Sequence, residues 1–149
     1  WKMTNNSYSL GLALNDEPCY VLSSDLFITP EIINLLDVKG PNSILTKNRE
    51  NRQLDSLNCD INTNGQIHEI YQGSRRDSRD PEAVGIYKIS DKDLLQNWRK
   101  NCLRHGNLFA GQNLKFDKSP VYSVDTENYG LYEINTILDY LNYIDRTNK

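Results

Sequence analysis

The chain has 149 residues, enough for one core, with 38% apolar and 25% charged residues, a balance too apolar for a disordered chain. Its net charge of -3, with the signs interspersed, argues against broad nonspecific nucleic-acid binding. No run approaches the roughly 20 apolar residues of a membrane helix, and no charged-then-apolar leader opens the sequence.

Ser7 to Leu14 reads as a strand, and Pro18 to Phe27 fits more than one element. Thr29-Pro30-Glu31 marks a helix start, with Thr as N-cap and Pro at the first helical position. Ile32, Ile33, Leu35 and Leu36 give that helix its buried face. From Lys39 to Asn64 the chain is mostly polar, and it reads as turns, loop or exposed helix. Strands are expected at Gln66 to Gln72 and at Ala83 to Ile89, with the polar segment Gly73 to Glu82 between them.

The clearest helix follows. Ser90 is its expected cap, Leu94, Leu95, Trp98, Cys102 and His105 share a face, and Gly106 stands where a C′ glycine belongs. Short strands are expected over Asn107 to Phe116, Val121 to Val124 and Leu131 to Ile134. A last helix from about Asn135 carries the stripe Ile134, Ile137, Leu138, Leu141 and Ile144. Strands and helices do not alternate regularly. The expectation is therefore a single α+β domain over 1–149, mostly antiparallel short strands with about three helices.

Three candidate sites stand out. The segment Arg75 to Val84 reads R-R-D-S-R-D-P-E-A-V. Through Arg75, Asp77, Ser78, Arg79, Pro81, Glu82 and Val84 it resembles the first conserved region of pertussis- and cholera-type ADP-ribosyltransferase toxins. The stretch Tyr122 to Gly130 resembles a later tyrosine-containing strand and turn of those domains. The resemblance implies NAD as cofactor, Arg75 with Asp77 and Arg79 on the cofactor side, and a late catalytic glutamate, Glu127 or Glu133. A guanidinium suits that role because it presents a rigid fork of donors to a phosphate or carbonyl. The close match is confined to positions 75–84, and Gly85-Ile86-Tyr87 replaces the family's phenylalanine-glycine segment.

The second candidate is a cysteine hydrolase or deamidase. Cys19 after Pro18 would open a short helix whose dipole lowers its pKa, with His105 as base and Asp117 as orienter. The third is a weak calcium loop. Asp60, Asn62 and Asn64 supply oxygens at alternate positions before Gly65, while Tyr71 stands where the bidentate acid belongs. Cys19, Cys59 and Cys102 lack metal-ligand spacing, and their redox state stays open.

Small size, mild acidity, many Asn and Tyr and an incomplete catalytic set favour a non-catalytic protein-binding module: a toxin subunit, an adhesin fragment or an immunity-type inhibitor. On that reading the partner is a protein, not a nucleic acid, and no cofactor is firmly implied. The NAD-dependent transferase and the cysteine hydrolase are the alternatives.

Overall fold

The structure, a computed structural model, describes residues 5–50, 52, 54–117, 119–126 and 129–147. In chain order its elements are α1 (Asn6–Ala13), β1 (Cys19–Leu22), β2 (Leu26–Ile28), α2 (Pro30–Leu35), β3 (Asn42–Lys47), β4 (Leu57–Ile61), β5 (Ile67–Gln72), β6 (Glu82–Ile89), α3 (Lys92–Arg104), a 3-10 turn (Ala110–Asn113), β7 (Tyr122–Asp125), β8 (Leu131–Glu133) and α4 (Ile137–Thr147). The class is α+β as expected. The strands run in the order β5-β4-β6-β3-β7, with β1 also pairing β6 and with β2 and β8 forming a separate small sheet. Every strand pair is antiparallel except β3 with β7.

Side chains alternate across a strand, so the large sheet is covered on both faces. Ile44, Tyr87 and Ile89 face a cluster with Leu94, Leu95, Trp98 and Cys102 of α3. Their neighbours Leu45 and Ile86 face the opposite way, against Ile32 and Leu36 from the α2 region and Leu131 of β8. Trp98 is fully buried, and its indole N–H donates to the Ala110 carbonyl at 2.8 Å, tying α3 to the 3-10 turn.

Several expected elements differ. Ser7 to Leu14 is helix: the Asn5 side chain accepts the Asn6 N–H, and Gly11 lets α1 approach Cys102 and Leu103 of α3. Asp91, not Ser90, caps α3 through the Leu94 N–H at 2.9 Å, and His105 at the helix end is exposed. The span Asn107 to Phe116 holds the 3-10 turn instead of a strand. The polar stretch from Lys39 to Asn64 hides β3, a central strand, and β4. On α4, Tyr143 turns inward against Phe27, with ring centroids 4.6 Å apart. The expected apolar stripe is thereby turned outward, with Ile137 81% and Leu138 65% exposed.

Candidate functional site

A cleft of about 770 Å³ opens where β6, the β1–β2 loop and the end of β8 meet. Asp25, Arg49, Arg52, Glu82, Glu133 and Asn135 give it its chemistry. Asp25 arrives on the short loop 23–25, which is pinned at both ends. The Ser23 N–H donates to the Gly85 carbonyl at 2.9 Å, and the Ile134 N–H donates to the Asp25 carbonyl at 2.9 Å. The first of these contacts depends on a glycine. Gly85 has φ +77°, and a Cβ there would stand 2.4 Å from Ser23 Oγ. The strand bulges at the same point, since the β3–β6 register shifts between Ile44 and Thr46.

Asp25 is half-buried, and its Oδ1 is fully buried without a hydrogen-bond partner among the described residues. Glu82, at the start of β6, is 8% exposed. Its Oε1 accepts from Ser56 Oγ at 2.6 Å, while its Oε2 has no hydrogen bond among the described residues and lies 3.6 Å from Arg49 Nε. Arg49 also stands 3.6 Å from Glu133 Oε2 and so spans two carboxylates. A buried carboxylate oxygen without a donor is costly, and such oxygens are places where a cation or a ligand N–H or O–H belongs.

Arg52 reaches the cleft from the β3–β4 connection. It donates to the Arg49 carbonyl at 2.9 Å, to Asn58 Oδ1, and to Asn48 Oδ1 at 3.4 Å. Burial, and then the charge of nearby Arg75, pull its pKa below the usual arginine value.

Of the sequence-derived candidates, Glu133 reaches this cleft. Arg75 stands outside its lining, on the turn between β5 and β6, donating to Asn48 Oδ1 and the Ser78 carbonyl at 3.2 Å each. Asp77 and Arg79 pair with each other, Arg79 Nε to Asp77 Oδ1 at 3.0 Å and Nη2 to Oδ2 at 3.1 Å. Glu127 lies outside the described residues. Cys19 is not at a helix start; it opens β1 opposite Ile89, where burial raises its thiol pKa instead of lowering it. His105 and Asp117 are exposed, and no hydrogen bond joins Cys19, His105 and Asp117 among the described residues. In the calcium candidate, Asp60 lies within β4 opposite Glu69. Asn62 Oδ1 accepts the Asn64 and Gln66 N–H groups as an Asx turn does, and Asn64 is exposed beside it.

Sequence reading missed Asp25, Arg49, Arg52 and Asn135, and had Glu82 only as a position of the toxin-like motif. The available signal was Ser23-Ser24-Asp25, a polar break between two apolar triplets, which places an acid on a loop between strands.

No family profile matches the sequence, and no curated protein matches it. Solved structures do. The CTP:phosphocholine cytidylyltransferase of Streptococcus pneumoniae has a TM-score of 0.73 at 18% identity, covering 99% of this chain and 65% of that one. The inositol-1-phosphate CTP transferase of T. maritima has a TM-score of 0.69 at 16% identity, covering 92% and 58%. A UDP-glucose pyrophosphorylase complexed with UDP-glucose has a TM-score of 0.72 at 8% identity, covering 98% and 63%. The chain thus spans less than two thirds of each.

These neighbours overturn the toxin resemblance: positions 75–84 are a turn entering β6, on a fold unlike that expected from ADP-ribosyltransferases. They also overturn the expectation of a non-catalytic toxin subunit, adhesin fragment or immunity-type inhibitor, and that of a cysteine hydrolase, because the proteins sharing the fold transfer nucleotides. What the likeness establishes for this chain is its fold, the α+β fold of these nucleotidyltransferases.

Proposed function

We propose that the cleft is the site of a nucleotidyltransferase, which joins a nucleoside triphosphate to an acceptor bearing a phosphate. The observation that carries this reading is Asp25, whose buried oxygen, without a hydrogen-bond partner among the described residues, is held in the cleft by a loop pinned to β6 and to the end of β8. The shared fold supports it, since the neighbours' names pair a nucleotide with phosphocholine, inositol 1-phosphate or glucose.

In the reaction an acceptor phosphate oxygen attacks the α-phosphorus. The bond from that phosphorus to the oxygen bridging the β-phosphate breaks, and pyrophosphate leaves with the electron pair. Two anions must approach each other, so charge neutralisation is the main task of the protein. Asp25, with Asn135 beside it on the cleft wall, fits a divalent cation, which binds through one or two carboxylates plus substrate phosphates. When bound, such an ion neutralises phosphate oxygens. Arg49 and Arg52 add positive charge to the cleft lining, and Glu82 Oε2, ion-paired with Arg49 but without a hydrogen bond among the described residues, is an acceptor for a hydroxyl of the acceptor molecule.

Calorimetric titration of CTP and UTP, with and without Mg²⁺, tests the reading on the wild type and on Asp25→Asn. Magnesium-dependent binding is expected. Loss of one charged ligand contact should weaken it by about 10- to 100-fold in the variant. A wild type that binds neither nucleotide with Mg²⁺, or a variant with wild-type affinity, defeats it.

A further inference from the structure

Besides Arg49, the β3–β4 connection and the turn before β6 carry four arginines, in two groups. Arg76 and Arg79 are neutralised by carboxylates, Arg76 by Glu69 at 2.6 Å and Arg79 by Asp77 at 3.0 Å. Arg52 and Arg75 are not: among the described residues neither has a carboxylate within ion-pair distance. The two are nevertheless held together, both donating to Asn48 Oδ1, at 3.4 Å and 3.2 Å. The nearby acids are already engaged. Glu82 is held by Ser56 and Arg49, and Asp80 by the Tyr71 hydroxyl and the Asp77 N–H.

Donors remain on both guanidiniums. Each offers five N–H groups. Arg52 commits one to each of Arg49 O, Asn58 Oδ1 and Asn48 Oδ1. Among the described residues Arg75 commits only Nη1, to Asn48 Oδ1 and Ser78 O, which leaves its Nε and Nη2 for another acceptor. All these acceptors are neutral, and the carboxylates that act on the pair, Glu82 and Asp80 on Arg52 and Asp77 on Arg75, do so without an ion-pair contact among the described residues. Mutual repulsion and partial burial act together on Arg52.

We propose that Arg52 and Arg75 form a binding site for an oxyanion of the phosphate class, running from the cleft wall at Arg52 outward to Arg75. A tetrahedral oxyanion matches the fork of a guanidinium and takes two such forks at once. The site stands on its own charge and donors, and it goes beyond the nucleotidyl-transfer reading. Its occupant is either inorganic phosphate or a phosphate group carried by a larger molecule that also enters the cleft.

Arginine Nε–H resonances in ¹H–¹⁵N NMR read the site directly, with titrations of inorganic phosphate and of glycerol 3-phosphate in the absence of divalent cations. The Arg52 and Arg75 resonances should shift and that of Arg79 should not. Arg75→Gln should weaken phosphate binding at least tenfold. Arg75→Lys, which keeps the charge without the fork, should weaken it less, and Arg79→Gln should leave it unchanged. Tighter binding of the ester assigns the site to a phosphate on a larger ligand, and equal binding assigns it to the bare anion. Asp25→Asn should retain phosphate binding even where it loses nucleotide, so the two proposals fail separately. Unshifted Arg52 and Arg75 resonances, wild-type affinity in Arg75→Gln, or a loss in Asp25→Asn as large as in Arg75→Gln overturns the inference.

Discussion

Two connections approach the same strand, β6, and they handle charge in opposite ways. The turn 73–80 is dense in charge, and most of it is consumed within the turn. Asp80 accepts from the Tyr71 hydroxyl at 2.5 Å and from the Asp77 N–H at 3.2 Å. Asp77 holds Arg79, and Arg76 pairs with Glu69 while lying 3.8 Å over the Tyr71 ring. The loop 23–25 carries one charge, and that charge has a buried oxygen without a hydrogen-bond partner among the described residues. Density of charged residues therefore located a self-satisfied turn, whereas the group available for chemistry sits in the plainer loop. Arg75 belongs to the turn in sequence but not in this behaviour, since it alone among the turn's arginines has no carboxylate among the described residues.

The contrast can be broken most severely at Gly85. An alanine there must adopt φ near +77°, which costs about 1–2 kcal/mol for an L-residue, and its Cβ would also meet Ser23 Oγ. Gly85→Ala should lower stability by about 2 kcal/mol or more in denaturant unfolding and should weaken Mg²⁺-nucleotide binding by displacing Asp25. Adding Ser23→Gly removes the clashing side chain but not the backbone strain, so the double variant should recover only part of the loss. A Gly85→Ala protein with wild-type stability and binding would mean that the loop is not set by this contact.

A smaller effect is expected on the turn side. Asp80 is 3% exposed, and removing its carboxylate leaves the Tyr71 hydroxyl and the Asp77 N–H without their acceptor. Asp80→Ala should cost about 1–3 kcal/mol, the penalty of stranded buried donors. Nucleotide binding at Asp25 should persist, because the loop 23–25 is pinned from β6 and the end of β8 and not from this turn. Equal damage to nucleotide affinity would show that the two connections are coupled through β6.

Much of the fold was legible, for reasons visible in particular residues. The Thr29-Pro30 start announced α2, and the face Leu94, Leu95, Trp98 and Cys102 announced α3. The central strand β3 was hidden because Asn42, Ser43 and Thr46 are buried polar residues with internal partners. Asn42 Oδ1 accepts the Ser90 and Asp91 N–H groups, Ser43 Oγ donates to the Leu36 carbonyl at 2.7 Å, and Thr46 Oγ1 meets Ser123 Oγ at 2.7 Å. Composition reads such a strand as loop. Ser7 to Leu14, read as a strand, is helix because Gly11 lets α1 pack closely on α3. The cleft was harder still. It is assembled by a strand order that puts β6 between β4 and β3, bringing together residues as far apart as Asp25 and Asn135. Glu133 was named, but for a different reaction, and the polar break Ser23-Ser24-Asp25 marked a loop without showing that Asp25 would be half-buried in a cleft.

The finest test of the contrast is the titration of Asp77. It is exposed, and the Arg79 side chain, then the Arg79 N–H, hold its pKa down from the ordinary 3.8 to about 2. A depressed carboxylate contributes its pairing above the unfolded value and loses it as pH falls through the folded one. The Asp77–Arg79 contact should thus be complete above about pH 4 and should open as the pH falls through about 2. Carboxyl ¹³C NMR should follow this, and in Arg79→Gln the Asp77 midpoint should climb back toward 3.8, with little change in global stability because the pair lies in solvent. An ordinary midpoint in the wild type would mean that Arg79 is not committed to Asp77. It would then stand beside Arg75 as a third guanidinium without an ion-pair contact, and the oxyanion site would extend along the turn instead of ending at Arg75.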